Sequence, residues 1–130
     1  MDKVRFGVIG YGNMGSQHIR YLANGEIPGA VLGAVCDNNP AKLDAAKEFL
    51  TKEHPDLSVA YFADYKELLD SGKIDAVLIA TPHYLHPVIA IDAFAKKLNV
   101  LSEKPIGVYT KKVLEMYDAA KKAGTVFGIM

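Results

Sequence analysis

A chain of 130 residues carries fifteen basic and fifteen acidic side chains, no net charge, and hydrophobic residues at half of its positions. The balanced charge, with no basic cluster, argues against nucleic acid as a partner, and the single cysteine, Cys36, excludes an internal disulfide framework. No apolar run approaches the roughly 18 residues of a membrane span, and the N-terminus enters a predicted strand too early for a signal peptide. We therefore expect one cytoplasmic domain over residues 1–130, with no membrane partner.

Strand and helix patterns alternate from one end of the chain to the other, with no low-complexity linker between them. Short apolar runs predict six strands, at residues 4–9, 31–36, 59–61, 76–80, 99–101 and 125–130. A helix is predicted after each of the first five strands: residues 13–23, a helix that Asn39 caps and Pro40 opens, a helix that begins at Asp64 with a capping box, residues 87–97, and residues 111–123 with Thr110 as cap. Cys36 falls within the second strand, which favours a small buried hydrophobe over a reactive thiol.

Six strands joined by short helical crossovers predict an α/β fold: a doubly wound, parallel, six-stranded sheet of the Rossmann dinucleotide-binding type. The expected strand order is 3-2-1-4-5-6, and ligands then bind at the carboxyl ends of the strands, where strand 1 meets strand 4. The glycine-rich segment, Asp37, Thr81 and Lys104 all follow strand ends, so we expect them to share one rim of the sheet.

The segment after the first strand, Gly10-Tyr11-Gly12-Asn13-Met14-Gly15, has the spacing of a dinucleotide fingerprint. The first glycine permits a sharp turn, the second lets a pyrophosphate approach the main chain, and the third lets the helix pack close to the strand. We expect all six residues to bind the cofactor, with the N–H groups at the helix start facing its phosphates. The alternative is that the glycines serve only the turn and the packing.

Asp37 ends the second strand, 22 positions after Gly15, and the fingerprint expects an acid about 20 residues on. A carboxylate there accepts hydrogen bonds from the adenosine ribose hydroxyls of NAD and repels the 2′-phosphate of NADP. Asn38 and Asn39 follow and offer no cation to receive a phosphate. We therefore expect NAD rather than NADP as the cofactor.

The loop after the fourth strand, Thr81-Pro82-His83-Tyr84-Leu85-His86-Pro87, is held extended by its two prolines and is a candidate to lie along a nicotinamide ribose. On the residues alone, a solvent-facing position is favoured for His83 and a structural role at a helix N-terminus for His86, with cofactor contact as the alternative. No two histidines have metal-ligand spacing beside a carboxylate, so no metal is predicted.

Glu103-Lys104-Pro105 follows the fifth strand. Burial lowers the pKa of a lysine and lets it exchange a proton near neutral pH. As a cation, Lys104 would stabilise an alkoxide while a hydride leaves the carbon. Glu103 would pair with this lysine or bind the nicotinamide ribose. In isolation, an ordinary loop ion pair is the favoured interpretation.

Taken together, GYGNMG at residues 10–15, Asp37, ATPHYLHP at residues 80–87 and EKP at residues 103–105 resemble the glucose–fructose oxidoreductase / inositol dehydrogenase family of NAD(P)-dependent oxidoreductases. The resemblance covers the whole chain. It implies that the glycine loop binds the pyrophosphate and that Asp37 binds the adenosine ribose. It implies that Lys104 touches both the nicotinamide region and the substrate hydroxyl, as the catalytic residue. It adds candidates for contact with the nicotinamide side of the cofactor: Thr81, Pro82, His83, His86 and Glu103.

The chain departs from the family pattern in three respects. His83 stands where the family usually has Asn, and Lys97-Leu98-Asn99 stands where it often has Gly-Lys-His. Family members also carry a second α/β domain, which supplies a further catalytic acid/base and most of the substrate pocket. We therefore expect the cofactor domain alone, as a truncated chain, a cleavage product or the product of a split gene. The face that the second domain would cover should be apolar and prone to self-association.

Three interpretations remain open at this point, of which the third, an α/β domain that binds no nucleotide, would require that NAD does not bind. The first is an oxidoreductase that moves a hydride between NAD and a small hydroxy compound such as a sugar or polyol. The second is a non-catalytic module that binds or senses a dinucleotide. The intact Lys104 favours the first for the parent protein, while the chain alone, without the second domain, is expected to lack groups that catalysis needs.

Overall fold

The computed structural model describes residues 3–81, 86–102 and 110–129. Strands and helices alternate through these ranges, as the apolar pattern predicts. The elements are β1 (Val4–Ile9), α1 (Asn13–Ala23), β2 (Ala30–Cys36), α2 (Pro40–Glu53), β3 (Ala60–Phe62), α3 (Tyr65–Asp70), β4 (Ala76–Ile79), α4 (His86–Ala95), β5 (Asn99–Ser102), α5 (Thr110–Ala123) and β6 (Phe127–Ile129). Over the described residues, none of these helices combines the length and apolar character that crossing a membrane requires.

The six strands form one parallel sheet in the order β3-β2-β1-β4-β5-β6, which confirms the predicted fold and strand order. The central strand β1 pairs with β2 on one side and with β4 on the other. At its carboxyl end, Ile9 is in register with Cys36 of β2 and with Ile79 of β4. The strand order reverses between β1 and β4, so their carboxyl ends flank the crevice at which sheets of this type bind ligands.

Each face of the sheet is covered by its own hydrophobic core. Helices α1 and α2 cover one face, where Ile19 and Leu50 pack with Val8 and Leu78. Helices α3, α4 and α5 cover the other face. Its core is formed by Leu68, Val77, Ile79, Ile89, Phe94, Met116 and their neighbours. All four residues of β4 are buried, because a strand between two helical layers has no solvent-facing side.

Asn39 and Asp64 cap their helices as predicted. The side chain of Asn39 accepts a hydrogen bond from the N–H of Ala41 at 3.0 Å, and that of Asp64 accepts one from the N–H of Lys66 at 2.9 Å. These bonds satisfy donors that the first turn of a helix cannot pair internally. Together with Pro40 at its first position, the Asn39 cap fixes where α2 begins.

The predicted boundaries of α4 are wrong at both ends, since the helix spans His86–Ala95 rather than residues 87–97. His86 is therefore its first helical residue and not its cap. At the other end, the N–H of Lys97 donates to the carbonyl of Phe94 and that of Leu98 to the carbonyl of Ala93. These two bonds form a Schellman motif, which requires a left-handed residue after the helix. Lys97 takes that conformation, with φ of 61°.

Other element ends differ from the predicted ones by one or two residues, a scatter that is usual at fraying termini. Strand β2 begins at Ala30, β3 spans Ala60–Phe62, and α5 includes Thr110, which was predicted as its cap. The last strand is shorter than predicted, at Phe127–Ile129, and Val126 before it is exposed.

An ion pair joins the amino end of β1 to the start of β4. The Nε of Arg5 donates to Oδ2 of Asp75 at 3.1 Å and its Nη2 donates to Oδ1 at 2.9 Å, while the backbone N–H of Arg5 also donates to Oδ2 at 2.9 Å. These hydrogen bonds hold the pKa of the Asp75 carboxyl below its ordinary value. The pair therefore connects β1 and β4 at their amino ends, which lie opposite the crevice.

Candidate functional site

The turn after β1 is possible only with glycine at two positions. Gly10 has φ of +106°, and a Cβ atom there would lie 2.7 Å from the carbonyl oxygen of Ala80. A Cβ atom on Gly15 would lie 1.9 Å from the carbonyl oxygen of Gly10. Both distances are below van der Waals contact, so the close approach of α1, the loop and the end of β4 requires glycine at these positions.

Gly12 lies between them, and the packing of the protein does not require glycine at this position. Its φ of −93° and ψ of −159° suit any residue, and no heavy atom in the described part of the chain lies within 4 Å of an added Cβ. As the N-cap of α1, Gly12 supplies no side-chain acceptor to the helix. The N–H groups of the first turn, which have no acceptor within the helix, therefore receive none from the cap side chain either.

Asp37 lies directly after β2 and reaches two other segments. Its Oδ2 accepts the backbone N–H of Tyr11, and its Oδ1 accepts the backbone N–H of Asn39, both at 2.8 Å. The residue is buried, with 9 % of its surface exposed. Each carboxylate oxygen has a second lone pair, so two acceptor positions remain for a ligand. The carboxylate thus lies between the glycine loop and the start of α2.

Side chains next to the loop differ in exposure. The ring of Tyr11 is half-buried against the core beneath α1 and α2, whereas Met14 is 47 % exposed in the first turn of α1. An exposed thioether beside free N–H groups gives the rim an apolar surface next to an anion-binding one. Asn13 is the first residue of α1, and its side chain lies outside the described atoms.

The far side of the crevice begins at the ends of β4 and β5. Thr81 is half-buried just past β4, and Ser102, the last residue of β5, is fully buried and in register with Ile79. His86 opens α4, with its side chain outside the described atoms. Four predicted site residues lie outside the described residues: Pro82, His83, Glu103 and Lys104. The structure thus brings together the glycine loop, Asp37 and Thr81 of the predicted set.

The residue that sequence reasoning missed is Asn39, whose backbone N–H fixes Asp37. An aspartate that accepts the N–H two positions on forms an Asx turn, so the order Asp37-Asn38-Asn39 before a proline carried the signal. The contact with Tyr11 carried none, because it spans 26 positions.

Cys36, next to Asp37, is confirmed as a core residue. It is 2 % exposed, and burial, followed by the charges of Asp37, Asp64 and Glu67, raises the pKa of its thiol to about 12. Within residues 3–81, 86–102 and 110–129, no three His, Cys, Asp or Glu side chains lie close enough to hold a metal ion.

A groove at the opposite edge of the sheet contains none of the predicted site residues. It has a volume of about 470 Å³ and lies at the amino ends of the strands. Arg5 and Lys73 contribute its charges, and the guanidinium of Arg5 is already paired with Asp75. Ligands of doubly wound sheets bind at the carboxyl ends of the strands, so this groove is not the candidate site.

Three features of the loop rim fit a dinucleotide. The N–H groups at the start of α1 suit a pyrophosphate, the space at Gly12 admits it close to the main chain, and the lone pairs of Asp37 suit ribose hydroxyls.

A family model described as an oxidoreductase family with an NAD-binding Rossmann fold matches residues 4–130.

Among the relatives, inositol 2-dehydrogenase of Arthrobacter sp. (strain FB24) is 36 % identical over 123 residues, which are 95 % of this chain and 34 % of that protein. The glycosyl hydrolase family 109 protein of Shewanella pealeana is 30 % identical over 125 residues, covering 94 % of this chain and 27 % of that protein. The chain therefore spans between about a quarter and a third of the length of these relatives.

Among solved structures, the WlbA dehydrogenase of Bordetella pertussis, in complex with NADH and UDP-GlcNAcA, superimposes with a TM-score of 0.85. The two chains are 31 % identical, and the match covers 98 % of this chain and 37 % of the other. The architecture of the sheet is thus shared with about a third of a dehydrogenase whose structure holds NADH.

Proposed function

Because the chain belongs to the oxidoreductase family with an NAD-binding Rossmann fold, we propose that it is the cofactor-binding part of an NAD-dependent dehydrogenase. Its substrate would be a sugar, a polyol or a related hydroxy compound. The relatives support this class: one is named for inositol, one is a glycosyl hydrolase family protein, and one was solved with a nucleotide sugar acid.

The observation that carries the proposal is the contrast between Gly12 and its two neighbours in the motif. The fold requires glycine at Gly10 and Gly15, but nothing in the described residues requires it at Gly12. A glycine that the fold does not need is explained by a ligand that approaches the main chain. The pyrophosphate of NAD, bound by the N–H groups at the start of α1, is such a ligand.

The charge at Asp37 supports NAD over NADP. Its two remaining lone pairs would accept the 2′- and 3′-hydroxyls of the adenosine ribose. A 2′-phosphate would bring negative charge to a buried carboxylate that accepts two backbone N–H groups, and the next residues, Asn38 and Asn39, carry no cation. Repulsion between these charges would weaken NADP binding.

The nicotinamide half of the cofactor is assigned to Thr81, Pro82, His83, His86 and Glu103, and catalysis to Lys104. NAD, when bound, supplies a nicotinamide ring that accepts a hydride from the hydroxyl-bearing carbon of the substrate. The Nζ of Lys104 would donate a hydrogen bond to the substrate oxygen and stabilise its negative charge as the O–H proton passes to the further acid/base group that family members carry in their second domain. The support for these roles is the EKP motif and the position of both loops directly after β4 and β5.

About two thirds of the inositol 2-dehydrogenase relative has no counterpart in these 130 residues. We propose that the 130 residues bind NAD without turning over a substrate. The second candidate function, a module that binds or senses NAD, uses the same NAD site. It is favoured by the limited share of the relatives' length that this chain covers. Self-association and a cytoplasmic location stay predictions.

Calorimetric titration of the chain with NAD and NADP tests the cofactor, and a panel of polyols and sugars, followed by the absorbance of the reduced cofactor, tests the reaction. We expect NAD to bind more tightly than NADP, with no reduction by the chain alone. Tighter binding of NADP would contradict the assignment of Asp37, and no binding of either would contradict the proposed function. Turnover by the 130 residues would contradict the claim that catalysis needs further residues.

A further inference from the structure

We propose that Asp37 is a positioning residue for the glycine loop, in addition to its expected contact with the ribose. Its carboxylate holds the main chain at Tyr11 in the shape that receives a pyrophosphate, before any cofactor binds. This inference rests on the proposed function, and it predicts that changing Asp37 weakens binding even of ligands that have no adenosine ribose.

The first argument is the way β2 pairs with the loop beyond the end of β1. The N–H of Gly10 donates to the carbonyl of Cys36 at 2.8 Å, as a continuation of the strand ladder. The chain then turns at Gly10, which has positive φ. The next N–H, that of Tyr11, is taken by the side chain of the next residue of the neighbouring segment, Asp37. A side chain therefore replaces the backbone acceptor that the turn removes.

The second argument is that the carboxylate is itself held. Its other oxygen accepts the N–H of Asn39, whose side chain caps α2 through Ala41. Two backbone donors on different segments fix the orientation of one buried side chain, and hydrogen bonds to a carboxylate are stronger than those between neutral groups. The loop is thereby tied to the start of α2 and not only to its own helix.

The third argument concerns the hydrogen bonds that two different side chains at residue 37 would keep or lose. An Asn side chain at residue 37 has one acceptor oxygen and one NH₂ donor, so it satisfies only one of the two N–H groups and directs its own donors at the other. A Ser side chain keeps an oxygen for the N–H two positions on, as in an ST turn, but lacks the second oxygen that reaches Tyr11. The two variants therefore test the contact with Tyr11 in different ways.

The experiment uses Asp37→Asn and Asp37→Ser, with Asp64→Asn as the matched control. Asp64 makes the same kind of backbone contact, to Lys66, at the start of α3, so its replacement removes the same charge without touching the loop. Inorganic pyrophosphate and NAD are titrated calorimetrically into each variant. We expect both Asp37 variants to bind pyrophosphate about tenfold more weakly, which is the effect of losing one hydrogen bond in the preformed loop. Asp64→Asn should stay within about twofold of the unmodified chain for both ligands.

A second measurement, amide hydrogen exchange of Tyr11 in the ligand-free chain, does not depend on cofactor binding. We expect faster exchange at Tyr11 in Asp37→Ser, faster exchange at either Tyr11 or Asn39 in Asp37→Asn, whose one acceptor oxygen serves only one of them, and unchanged exchange at both in Asp64→Asn. Weaker binding of NAD with unchanged binding of pyrophosphate would show that Asp37 acts through the ribose alone, and would overturn the inference. Unchanged protection of Tyr11 in Asp37→Ser would overturn it as well. Failure of the unmodified chain to bind NAD would instead refute the proposed function, while the exchange experiment would still decide the role of Asp37.

Discussion

A Cβ atom on Gly15 would lie 1.9 Å from the carbonyl oxygen of Gly10, so this contact is possible only because residue 15 has no side chain. The contact brings the first turn of α1 against the end of β1, and it sets the direction of the N–H groups that open the helix. Packing and ligand binding thus depend on different members of one glycine motif, and substitution can separate them.

Replacing Gly12 and Gly15 by alanine should give opposite results. Gly15→Ala should lower the free energy of unfolding by at least about 2 kcal/mol, because backbone must move to admit the Cβ. Gly12→Ala should change it by less than about 1 kcal/mol and weaken NAD binding at least about tenfold, since the methyl group holds a phosphate away from the main chain. Urea unfolding measures the free energy of unfolding, and calorimetric titration measures the affinity for NAD. Normal NAD binding by folded Gly12→Ala would contradict the site.

Glycine at Lys97 should stabilise the fold. The residue has φ of 61°, at the end of α4, and this conformation costs a residue with a Cβ about 1–2 kcal/mol. Part of the gain is offset by the greater freedom of glycine in the unfolded chain, about 0.5–1 kcal/mol. We expect Lys97→Gly to raise the free energy of unfolding by about 0.5–1 kcal/mol. Lys97→Ala is the control, since it removes the amine but keeps the Cβ. Equal effects of the two would show that the backbone conformation is not the cause.

The ion pair between Arg5 and Asp75 should contribute to stability in a pH-dependent way. The pKa of Asp75 is lowered in the folded chain, chiefly by the side-chain hydrogen bond from Arg5. The stabilisation of the folded chain by ionised Asp75 is therefore complete above the ordinary pKa of an unfolded aspartate, about 3.9. It is lost as the pH falls through the lower pKa that Asp75 has in the folded chain. Urea unfolding should show a gap between the unmodified chain and Asp75→Asn at neutral pH that closes in acid. Asp118→Asn, in an exposed pair with Lys122, should show a smaller gap. A gap that persists in acid would contradict this origin.

Cys36 should be inert in the folded chain. With a thiol pKa of about 12, about one molecule in ten thousand carries a thiolate at a pH near 8, and only 2 % of the residue is exposed. A disulfide reagent such as dithiobisnitrobenzoate should therefore label the native chain only as fast as it unfolds, and label it promptly in urea. Labelling of the native chain at the rate of a free peptide thiol would show that β2 does not bury this residue.

Local patterns predicted most of the architecture. Apolar runs in β1 and β4 and the caps at Asn39 and Asp64 depend on residues a few positions apart, so they can be read along the chain. The end of α4 was predicted two residues late, because a lysine at position 97 gives no sign of the left-handed turn that the Schellman motif demands. The spacing of residues along the chain also identified the glycine motif and the acid at Asp37, and these two features together predicted NAD as the cofactor.

What the sequence determined by itself is therefore the order of elements, the doubly wound sheet and the position of the glycine loop, Asp37 and Thr81 after its strand ends. Tertiary structure alone decided how those residues interact. It distinguishes the glycines that packing requires, Gly10 and Gly15, from Gly12, and it joins Asp37 to Tyr11 across 26 positions and Arg5 to Asp75 across 70. The physical reason is that β1 lies between β2 and β4: contacts between neighbouring strands bring distant segments together, and no local periodicity encodes which side chain completes a turn.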